Sequence, residues 1–462
     1  MELGKLIGPE LAELLRDEPG SLNEFVDELY PQDVSECLDH LASEVAIRAL
    51  TALPLEFGAQ VFERLSEERQ VEIAKALGVN STAKLVTEMS ADEAVDFFSL
   101  LPDETVRKLL ARLEAVDPEQ AEDVRELTIW PEQTAGGLMN NEYVDVPDSV
   151  TVDQATSALR LKAAEGYEVL NIIFVLDKND TVAGFVTLRA LLLSEPETPV
   201  SEIMQHNMVS VEPELDQEEV ARIFARYDLH ALPVLDRERH MIGIITGDDI
   251  MDVVEEEAEE DAQKMAAVEP MENSYFSVSF FAYLRKRAPW LIILFVGGFF
   301  TTGVMENFAP LLQAITQLAF YVPLLISAGG NSGSQSATLI IRGIALGEIR
   351  GEHWWKVMTR EFAQGILMGF ALAGIGVVRV YMSGDSTNMA ILIGVTIVAL
   401  VTMGCVVGAM MPLLMNKIGV DPATSSTPFI ATLVDALGIL VYLSLARLLL
   451  SGASEVALSA SP

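Results

Sequence analysis

The pattern of apolar and polar residues predicts helices over the first part of the chain. Segments such as LSEERQVEIAKAL and MSADEAVDFFSLL repeat apolar positions at helical spacing, and Pro54 and Pro102 mark breaks between such segments. We therefore expect an all-α N-terminal helical domain over residues 1–130.

One of these predicted helices carries a pair of carboxylates. Ser90 and Glu93 have the spacing of a capping box, which predicts that a helix begins there. Asp92 and Asp96 then lie four residues apart on one face, where two like charges are mildly unfavourable unless a cation bridges them. From spacing alone, surface acids without a ligand are the favoured interpretation.

The pattern changes over residues 139–255, which contain an internal repeat. The first copy runs from YVDVPDSV to VTLRALL, and the second runs from MVSVEPEL to GDDIMDVV. Each copy predicts strand, helix, strand, turn, strand and helix, with turns at residues 178–180 and 237–239. This order resembles a tandem pair of α/β cystathionine-β-synthase (CBS) domains, which implies a regulatory module that often binds adenine nucleotides.

A connector over residues 256–288 follows the repeat. The sequence DVVEEEAEEDAQKM leads into it and places carboxylates at three- and four-residue spacings, which predicts an acidic helix. The segment after Pro270 is amphipathic and ends in the basic cluster Arg285-Lys286-Arg287.

Long apolar stretches over residues 289–451 predict a five-helix transmembrane domain. The spans are expected at residues 289–312, 316–341, 362–382, 389–415 and 427–450. Basic residues precede the first span and follow the second. By the positive-inside rule, the N-terminal domains then lie in the cytoplasm and the C-terminus lies outside the inner (plasma) membrane.

Polar groups inside the predicted spans are candidates for an ion pathway. Asp435 lies in the middle of the fifth span, where a carboxylate is costly unless it lines a water-filled path or has a structural partner. The second span contains SAGGNSGSQSATL, which hydrocarbon would not tolerate facing lipid. Its Gly329, Gly330 and Asn331 are therefore pore-lining candidates. Glycines at positions 365 and 369, and at 404 and 408, predict closely packed helices and allow a dimer interface.

Charge separates the chain into two halves. The 462 residues carry a formal net charge of −38, and 60 of the 68 acidic residues precede Ala288. Such an acidic half excludes nucleic-acid binding, which needs basic residues to neutralise phosphate. Two cysteines in different halves predict no disulfide framework. No catalytic constellation is present, so no enzyme activity is expected, and oxygen ligands suit a hard cation such as Mg²⁺.

Two long motifs resemble the MgtE family of magnesium channels. They are AFYVPLLISAGGNSGSQSATLIIR and GVDPATSSTPFIATLVDALGILVYL, and the resemblance extends over nearly the whole chain. It implies a homodimer in the lipid bilayer that imports Mg²⁺. By this resemblance, Asp435 from each subunit binds hydrated Mg²⁺ in the pore, and Asp421 takes part in a site that holds the closed state.

The resemblance also implies a sensor in the acidic cytoplasmic domains. At high Mg²⁺, ions bridge the acids and the connector acts as a plug helix that holds the pore shut; at low Mg²⁺, repulsion opens it. The implied sensor residues are Asp92, Asp96, Asp216, Glu218, Asp228, Asp249, Asp252, Glu257, Glu260 and Asp261. The alternatives are a CBS-regulated transporter of Mn²⁺ or Co²⁺, a non-conducting magnesium sensor, and an anion channel, which fits poorly with Asp435.

The nucleotide motif of CBS domains is incomplete in this chain. The second copy has the Ser/Thr-x-x-Asp pattern from Thr246 to Asp249, but the first copy has Ala190 three residues after Thr187. Because the missing carboxylate would bind ribose, we expect weak or absent ATP binding. Titration calorimetry of the purified protein checks this expectation, and a micromolar affinity for ATP would contradict it.

Overall fold

The computed structural model describes residues 29–164, 167, 171–271 and 279–458. The chain divides into two compact units, Met1–Glu255 and Glu256–Pro462. The first 28 residues of the predicted helical domain, and residues 272–278 of the connector, lie outside the described residues.

Short amphipathic helices form the described N-terminal region, as the periodicity predicts. Their buried faces share one core, in which the rings of Phe62 and Phe97 meet edge to face with centroids 5.0 Å apart. The helices are α1 Pro31–His40, α2 Ser43–Ala52, α3 Leu55–Glu63, α4 Glu67–Leu77, α5 Val79–Val86, α6 Ala91–Ser99, α7 Asp103–Val116 and α8 Pro118–Leu127.

The predicted start of helix α6 is confirmed, but its predicted capping box is wrong. Ser90 occupies the N-cap position, yet its side chain makes no capping hydrogen bond. Glu93 instead stands among other carboxylates, including Asp92 and Asp96.

The repeat forms two small α/β lobes. In the first, β1 Asp145–Pro147 pairs in parallel with β2 Ile172–Leu176, which pairs antiparallel with β3 Val182–Thr187. In the second, β4 Ala231–Leu235 and β5 Met241–Thr246 form an antiparallel pair. The first predicted strand of the second copy is reduced to a single bridge between Val211 and Val234. The helices of this region are α9 Ala135–Leu138, α10 Val152–Ala164, α11 Leu188–Leu193, α12 Val200–Ile203, α13 Gln217–Tyr227 and α14 Gly247–Met265.

Both predicted hairpin turns of the repeat are present and have the same construction. Asp180 and Arg239, at equivalent positions, adopt left-handed backbone conformations with φ of 58° and 70°. In each turn an aspartate accepts backbone N–H groups, from residues 179 and 181 at Asp177 and from residue 240 at Asp236. The two copies of the repeat therefore share the structure of this turn as well as their sequence pattern.

The last helix of the second CBS copy continues into the acidic connector. Helix α14 runs without interruption from Gly247 to Met265. Beyond its end, the Gln263 side chain accepts the backbone N–H of Met271 at 2.7 Å and donates to the carbonyl of the same residue at 3.2 Å.

Long helices make up the second unit. They are α15 Phe280–Asn307, α16 Ala309–Ala314, α17 Gln317–Ala345, α18 Trp354–Met382, α19 Thr387–Lys417 and α20 Thr427–Leu458, with 3₁₀ turns at Gly351–His353 and Pro422–Thr424. Within the described residues, four segments are long and apolar enough to cross a membrane: Phe280–Asn307, Gly351–Met382, Thr387–Lys417 and Thr427–Leu450.

Helix α17, which contains the predicted second span, is not among those four segments. Its 29 residues extend about 44 Å, more than the roughly 30 Å hydrocarbon core, but the stretch from Ser327 to Thr338 interrupts its apolar sequence. The second predicted span, and with it the total of five spans, therefore stays a prediction.

Glycines let the membrane-type helices approach one another closely. A methyl group on Gly404 or Gly408 of α19 would overlap the carbonyl oxygen of Gly329 or Gly333 on α17. One on Gly365 of α18 would stand 2.7 Å from the Cα atom of Thr402. The predicted close packing is thus present, and it lies within one chain.

Gly408→Ala is expected to destabilise the helical bundle by about 2 kcal/mol, because the added methyl group has no space against the α17 backbone. The measurement is the thermal unfolding midpoint of the detergent-solubilised protein, which should fall by several degrees. Gly374→Ala is the matched control, since no atom lies within 4 Å of its added methyl group. Equal losses in both variants would contradict the packing role.

Candidate metal sites

The pore candidate Asp435 lies where helices α17 and α20 meet. A Cβ atom on Gly330 would stand 3.3 Å from Asp435 Oδ1, so the glycine leaves room for the carboxylate beside the α17 backbone. Asp435 is half-buried, and the described part of the chain gives it no hydrogen bond or ion pair. A carboxylate in this position is available to a cation.

An open groove of about 560 Å³ lies along the same two helices, one to two turns away from this carboxylate. It is lined by residues one and two turns from Gly330 and Asp435, including Ser334, Thr338 and Thr427. Ser334 Oγ donates to the carbonyl oxygen of Thr427 at 3.4 Å. The groove is mostly apolar, with Leu339, Pro428 and Ala431 in its lining, and the few oxygens among them, such as the Ser334 hydroxyl, are of the ligand type that hard cations and their bound waters prefer.

The other pore-lining candidates occupy different environments. Asn331 is exposed, and its Nδ2 donates to Ser327 Oγ at 3.2 Å. Gly329 is buried, where its added Cβ atom would stand 3.1 Å from Val434 Cγ1 and 3.6 Å from Leu400 Cβ. Gly329 thus packs helices, and Gly330 is the glycine beside the carboxylate.

Asp421 lies at the short 3₁₀ turn between helices α19 and α20. Its Oδ1 accepts the backbone N–H of Ala423 at 2.8 Å, and its Oδ2 accepts Lys264 Nζ at 2.6 Å. Glu260 also pairs with Lys264. Partial burial, followed by repulsion from Asp421, raises the pKa of Asp261 to about 6. The structure therefore gathers Glu260, Asp261 and Asp421 into one acidic group that includes a lysine.

A second acidic group lies within the first unit and joins the N-terminal region to the second CBS copy. Asp92 Oδ1 is buried without a hydrogen-bond partner in the described structure. Asp249 accepts hydrogen bonds from Thr246, at 3.0 Å from the backbone N and 2.7 Å from Oγ1. Burial, opposed by these bonds, together with repulsion from Asp92, raises the pKa of Asp249 to about 6.

Glu93 belongs to this group, although the sequence indicated only a cap. Burial by the surrounding protein is the main cause of the raised pKa of Glu93. Repulsion from Glu63, Asp92 and Asp96 raises this pKa further. More than a third of the side chain is nevertheless accessible, so the carboxyl group is crowded rather than enclosed. Glu63, Asp92, Glu93 and Asp96 thus stand near one another, and Asp92 also acts on Asp249.

The remaining predicted sensor acids have local roles in the structure. Asp216 caps helix α13 by accepting the backbone N–H of Glu218 at 3.0 Å, and Glu218 pairs with Arg222 at 2.5 Å. Asp228 ends the same helix in a left-handed conformation and lines a cavity of about 1020 Å³ between the two CBS copies. Asp252, whose pKa is raised chiefly by burial, and Glu257 lie along helix α14.

No three Asp, Glu, His or Cys side chains of the described residues are arranged to enclose a metal ion directly. The acidic groups are therefore loose, and a hydrated ion fits them better than a fully dehydrated one. Sequence reasoning did not predict that Lys264 and Glu93 belong to these acidic groups. For Lys264 there was a signal, because it is the single basic residue in an acidic helix.

These features define a class of protein. A bundle of long apolar helices with a carboxylate that has no partner among the described residues, attached to a helical domain and a CBS pair, is typical of a multi-pass membrane transport protein with regulatory domains. The family models agree: the divalent cation transporter model of MgtE matches residues 322–445, the MgtE intracellular N domain matches 29–133, and a CBS domain matches 200–256. The chain belongs to the MgtE family.

Individual relatives match over nearly the full length. The magnesium transporter MgtE of Thermus thermophilus is 39% identical over 93% of this chain and 95% of that protein. The magnesium transporter MgtE of Bacillus subtilis is 30% identical over 94% of this chain and 95% of its own. A crystal structure of the cytosolic domain of the Mg²⁺ channel MgtE in complex with ATP is 36% identical, with a TM-score of 0.50 over 53% of this chain and 99% of that one. Weak ATP binding by this chain stays a prediction.

Asp92→Asn is expected to reduce the pH dependence of the acidic group in metal-free buffer. Because the pKa of Asp249 is raised in the folded state, protonation of this carboxyl group stabilises the folded protein. This stabilisation is complete below pH 4 and is lost as pH rises through about 6. Removing the repulsion should lessen this loss by about 1 kcal/mol, since one pKa unit is about 1.4 kcal/mol and Asp92 is one of several causes.

Hydrogen exchange of helix α6 in the full-length protein, corrected for the intrinsic pH dependence of exchange, measures this effect between pH 5 and 7. Glu104→Gln is the control, because Glu104 is exposed and pairs only with Lys108 among its described contacts. An unchanged pH dependence in Asp92→Asn would show that the two carboxylates do not interact.

Proposed function

We propose that this protein is a Mg²⁺-selective channel or transporter that imports Mg²⁺ across the inner membrane and is closed by Mg²⁺ binding to its acidic cytoplasmic domains. The single observation that carries the proposal is the Asp435 carboxylate beside Gly330, to which the described part of the chain gives no hydrogen bond or ion pair. The magnesium transporters named among its relatives favour Mg²⁺ over Mn²⁺ or Co²⁺ as the substrate.

Asp435 suits a substrate that keeps part of its water shell. Mg²⁺ dehydrates reluctantly and is usually held by one or two carboxylates and several waters. A carboxylate attracts the ion, and neighbouring hydroxyl groups such as that of Ser334 accept or donate hydrogen bonds to its waters. A lone carboxylate with no basic residue among its described contacts also disfavours anions.

Helix α17 acts as the second of five spans in this proposal. Ser332 and Ser336 are buried against neighbouring helices, while Phe320 and Leu339, both largely exposed, are the type of residue that faces lipid. The polar stretch is therefore directed into protein or toward the groove, as a membrane-crossing helix requires. With five spans, cytoplasmic N-terminal domains imply an external C-terminus.

A homodimer completes the ion path. One chain supplies only one wall of the groove, because Asn331 and Thr338 beside it are exposed. A pore needs walls on all sides, and a second copy that presents the same face of α17 and α20 across a two-fold axis would provide them. Two Asp435 carboxylates would then face one path.

Regulation follows from repulsion within the acidic groups. Repulsion from Asp92 adds to the cost of ionising Asp249 in one group, and repulsion from Asp421 adds to the cost of ionising Asp261 in the other. Mg²⁺ bound between such acids relieves this repulsion only in the compact state, so it shifts the population toward that state. Helix α14 would act as the plug that responds to this shift.

Asp435→Ala is expected to reduce Mg²⁺ flux into proteoliposomes at least tenfold, because it removes the ion-binding carboxylate. Flux is measured with an enclosed Mg²⁺-sensitive dye at matched protein density, with Mn²⁺ and Co²⁺ as competitors. Glu348→Ala is the matched control, since Glu348 is an exposed acid in the loop after α17.

Equal flux in Asp435→Ala and wild type would place the pathway elsewhere. No flux from either, with the medium inside free of Mg²⁺ and both proteins folded, would favour a non-conducting sensor. Stronger transport of Mn²⁺ or Co²⁺ than of Mg²⁺ would contradict the substrate.

A further inference from the structure

Helix α14 carries nine acidic residues and one basic residue, Lys264, in its last turn. A lysine at this position interacts favourably with the negative end of the helix dipole, which needs no other partner. The observed contacts extend further than that.

Lys264 joins the end of the connector helix to the turn that precedes helix α20. Its ammonium group donates to Asp421 Oδ2 at 2.6 Å and pairs with Glu260 one turn earlier on its own helix. Only 25% of the lysine side chain is exposed, so the contact is partly shielded from water. Next to it, Thr427 Oγ1 donates to the carbonyl oxygen of Met265 at 3.0 Å.

The ammonium group therefore occupies the place between two carboxylates where a bridging cation would act. The ammonium group has one positive charge and three hydrogen-bond donors, whereas Mg²⁺ has two positive charges and a shell of coordinating oxygens. Because it is covalently attached to the helix, its local concentration does not depend on the ion content of the cytoplasm.

We propose that Lys264 is a tethered cation that holds the end of the connector helix against the Asp421 turn when Mg²⁺ is absent, and that competes with Mg²⁺ for Glu260 and Asp421. It is a positioning residue, since it acts on the carboxylates and not on the transported ion. The role in regulation rests on the proposed function, but the contact itself does not.

Two consequences separate this role from ordinary helix-end stabilisation. Without Mg²⁺, the connector keeps part of its attachment, so opening starts from a partly held state. With Mg²⁺, the ion must displace the ammonium group, so the lysine lowers the apparent affinity of this acidic group for Mg²⁺.

The test is hydrogen exchange of residues 256–265 in the full-length detergent-solubilised protein in EDTA. Lys264→Gln should speed exchange by roughly 3- to 10-fold, which is the size expected for the loss of one or two partly shielded ion pairs. Lys417→Gln, which removes the same charge from an exposed site four residues before Asp421, should leave exchange unchanged. Equal exchange in Lys264→Gln and wild type would overturn the proposal.

A double-variant cycle distinguishes the contact from a general loss of positive charge. Asp421→Asn should speed exchange of the same segment to a similar extent, and Lys264→Gln with Asp421→Asn should add little to either change. Independent, additive effects would overturn the proposal. Exchange of helix α17, measured in the same samples, verifies that each variant remains folded.

A titration with Mg²⁺ tests the competition. The Mg²⁺ concentration that restores half of the protection of residues 256–265 should be about 2- to 5-fold lower in Lys264→Gln than in wild type. An equal or higher concentration would overturn the competition. These measurements require no ion flux, so a failure of the transport proposal would leave them interpretable.

Discussion

The membrane-type unit depends on one constraint: polar groups on α17 must be kept away from hydrocarbon. The helix carries serines, an asparagine and glycines over its middle turns, and each unsatisfied polar group in lipid costs several kcal/mol. Ser332 Oγ accordingly donates to the carbonyl oxygens of Gly329 and Val401, and Ser336 Oγ donates to the buried Glu361. Glycines 404 and 408 of α19 allow this by bringing the backbones together.

The same close approach positions the candidate ion-binding carboxylate. Since α19 and α20 are held against the glycine-rich face of α17, the carboxylate of Asp435 is placed beside Gly330. The packing that gives α17's polar groups their partners thus also positions the acid. In the first unit the constraint is of another kind, because carboxylates brought together by folding repel one another and a bound cation would relieve the repulsion.

Much of the fold could be predicted from the sequence, because periodicity and turn residues are local signals. The helical region, the two hairpin turns and the long apolar helices all followed from such signals. The continuous helix α14 could not be predicted in this way, since no residue near Glu255 marks the boundary between the CBS copy and the connector. The hydropathy of α17 likewise does not indicate a helix long enough to span a membrane. Its polar residues lower the mean hydropathy, and their hydrogen-bond partners are distant in sequence.

The site was less accessible to sequence reasoning. Family resemblance named the acids, but it could not separate Asp216, which caps a helix, from Asp92, which has a buried unpartnered oxygen. The resemblance implied a closed-state role for Asp421, but it did not indicate a lysine partner, because Lys264 lies 157 residues away along the chain. Contacts of that kind depend on how helices are arranged, and spacing along one helix carries no information about them.

The attachment of the connector end has a consequence for the speed of any movement there. Several of its described contacts are hydrogen bonds and ion pairs, among them Gln263 with the Met271 backbone, Lys264 with Asp421, and Thr427 with the Met265 carbonyl. Each of these groups can exchange its partner for water with little loss of free energy, whereas separating a packed apolar core exposes surface at a much larger cost. Release of this end would therefore be a local rearrangement on the microsecond to millisecond scale, with no need for any element to unfold.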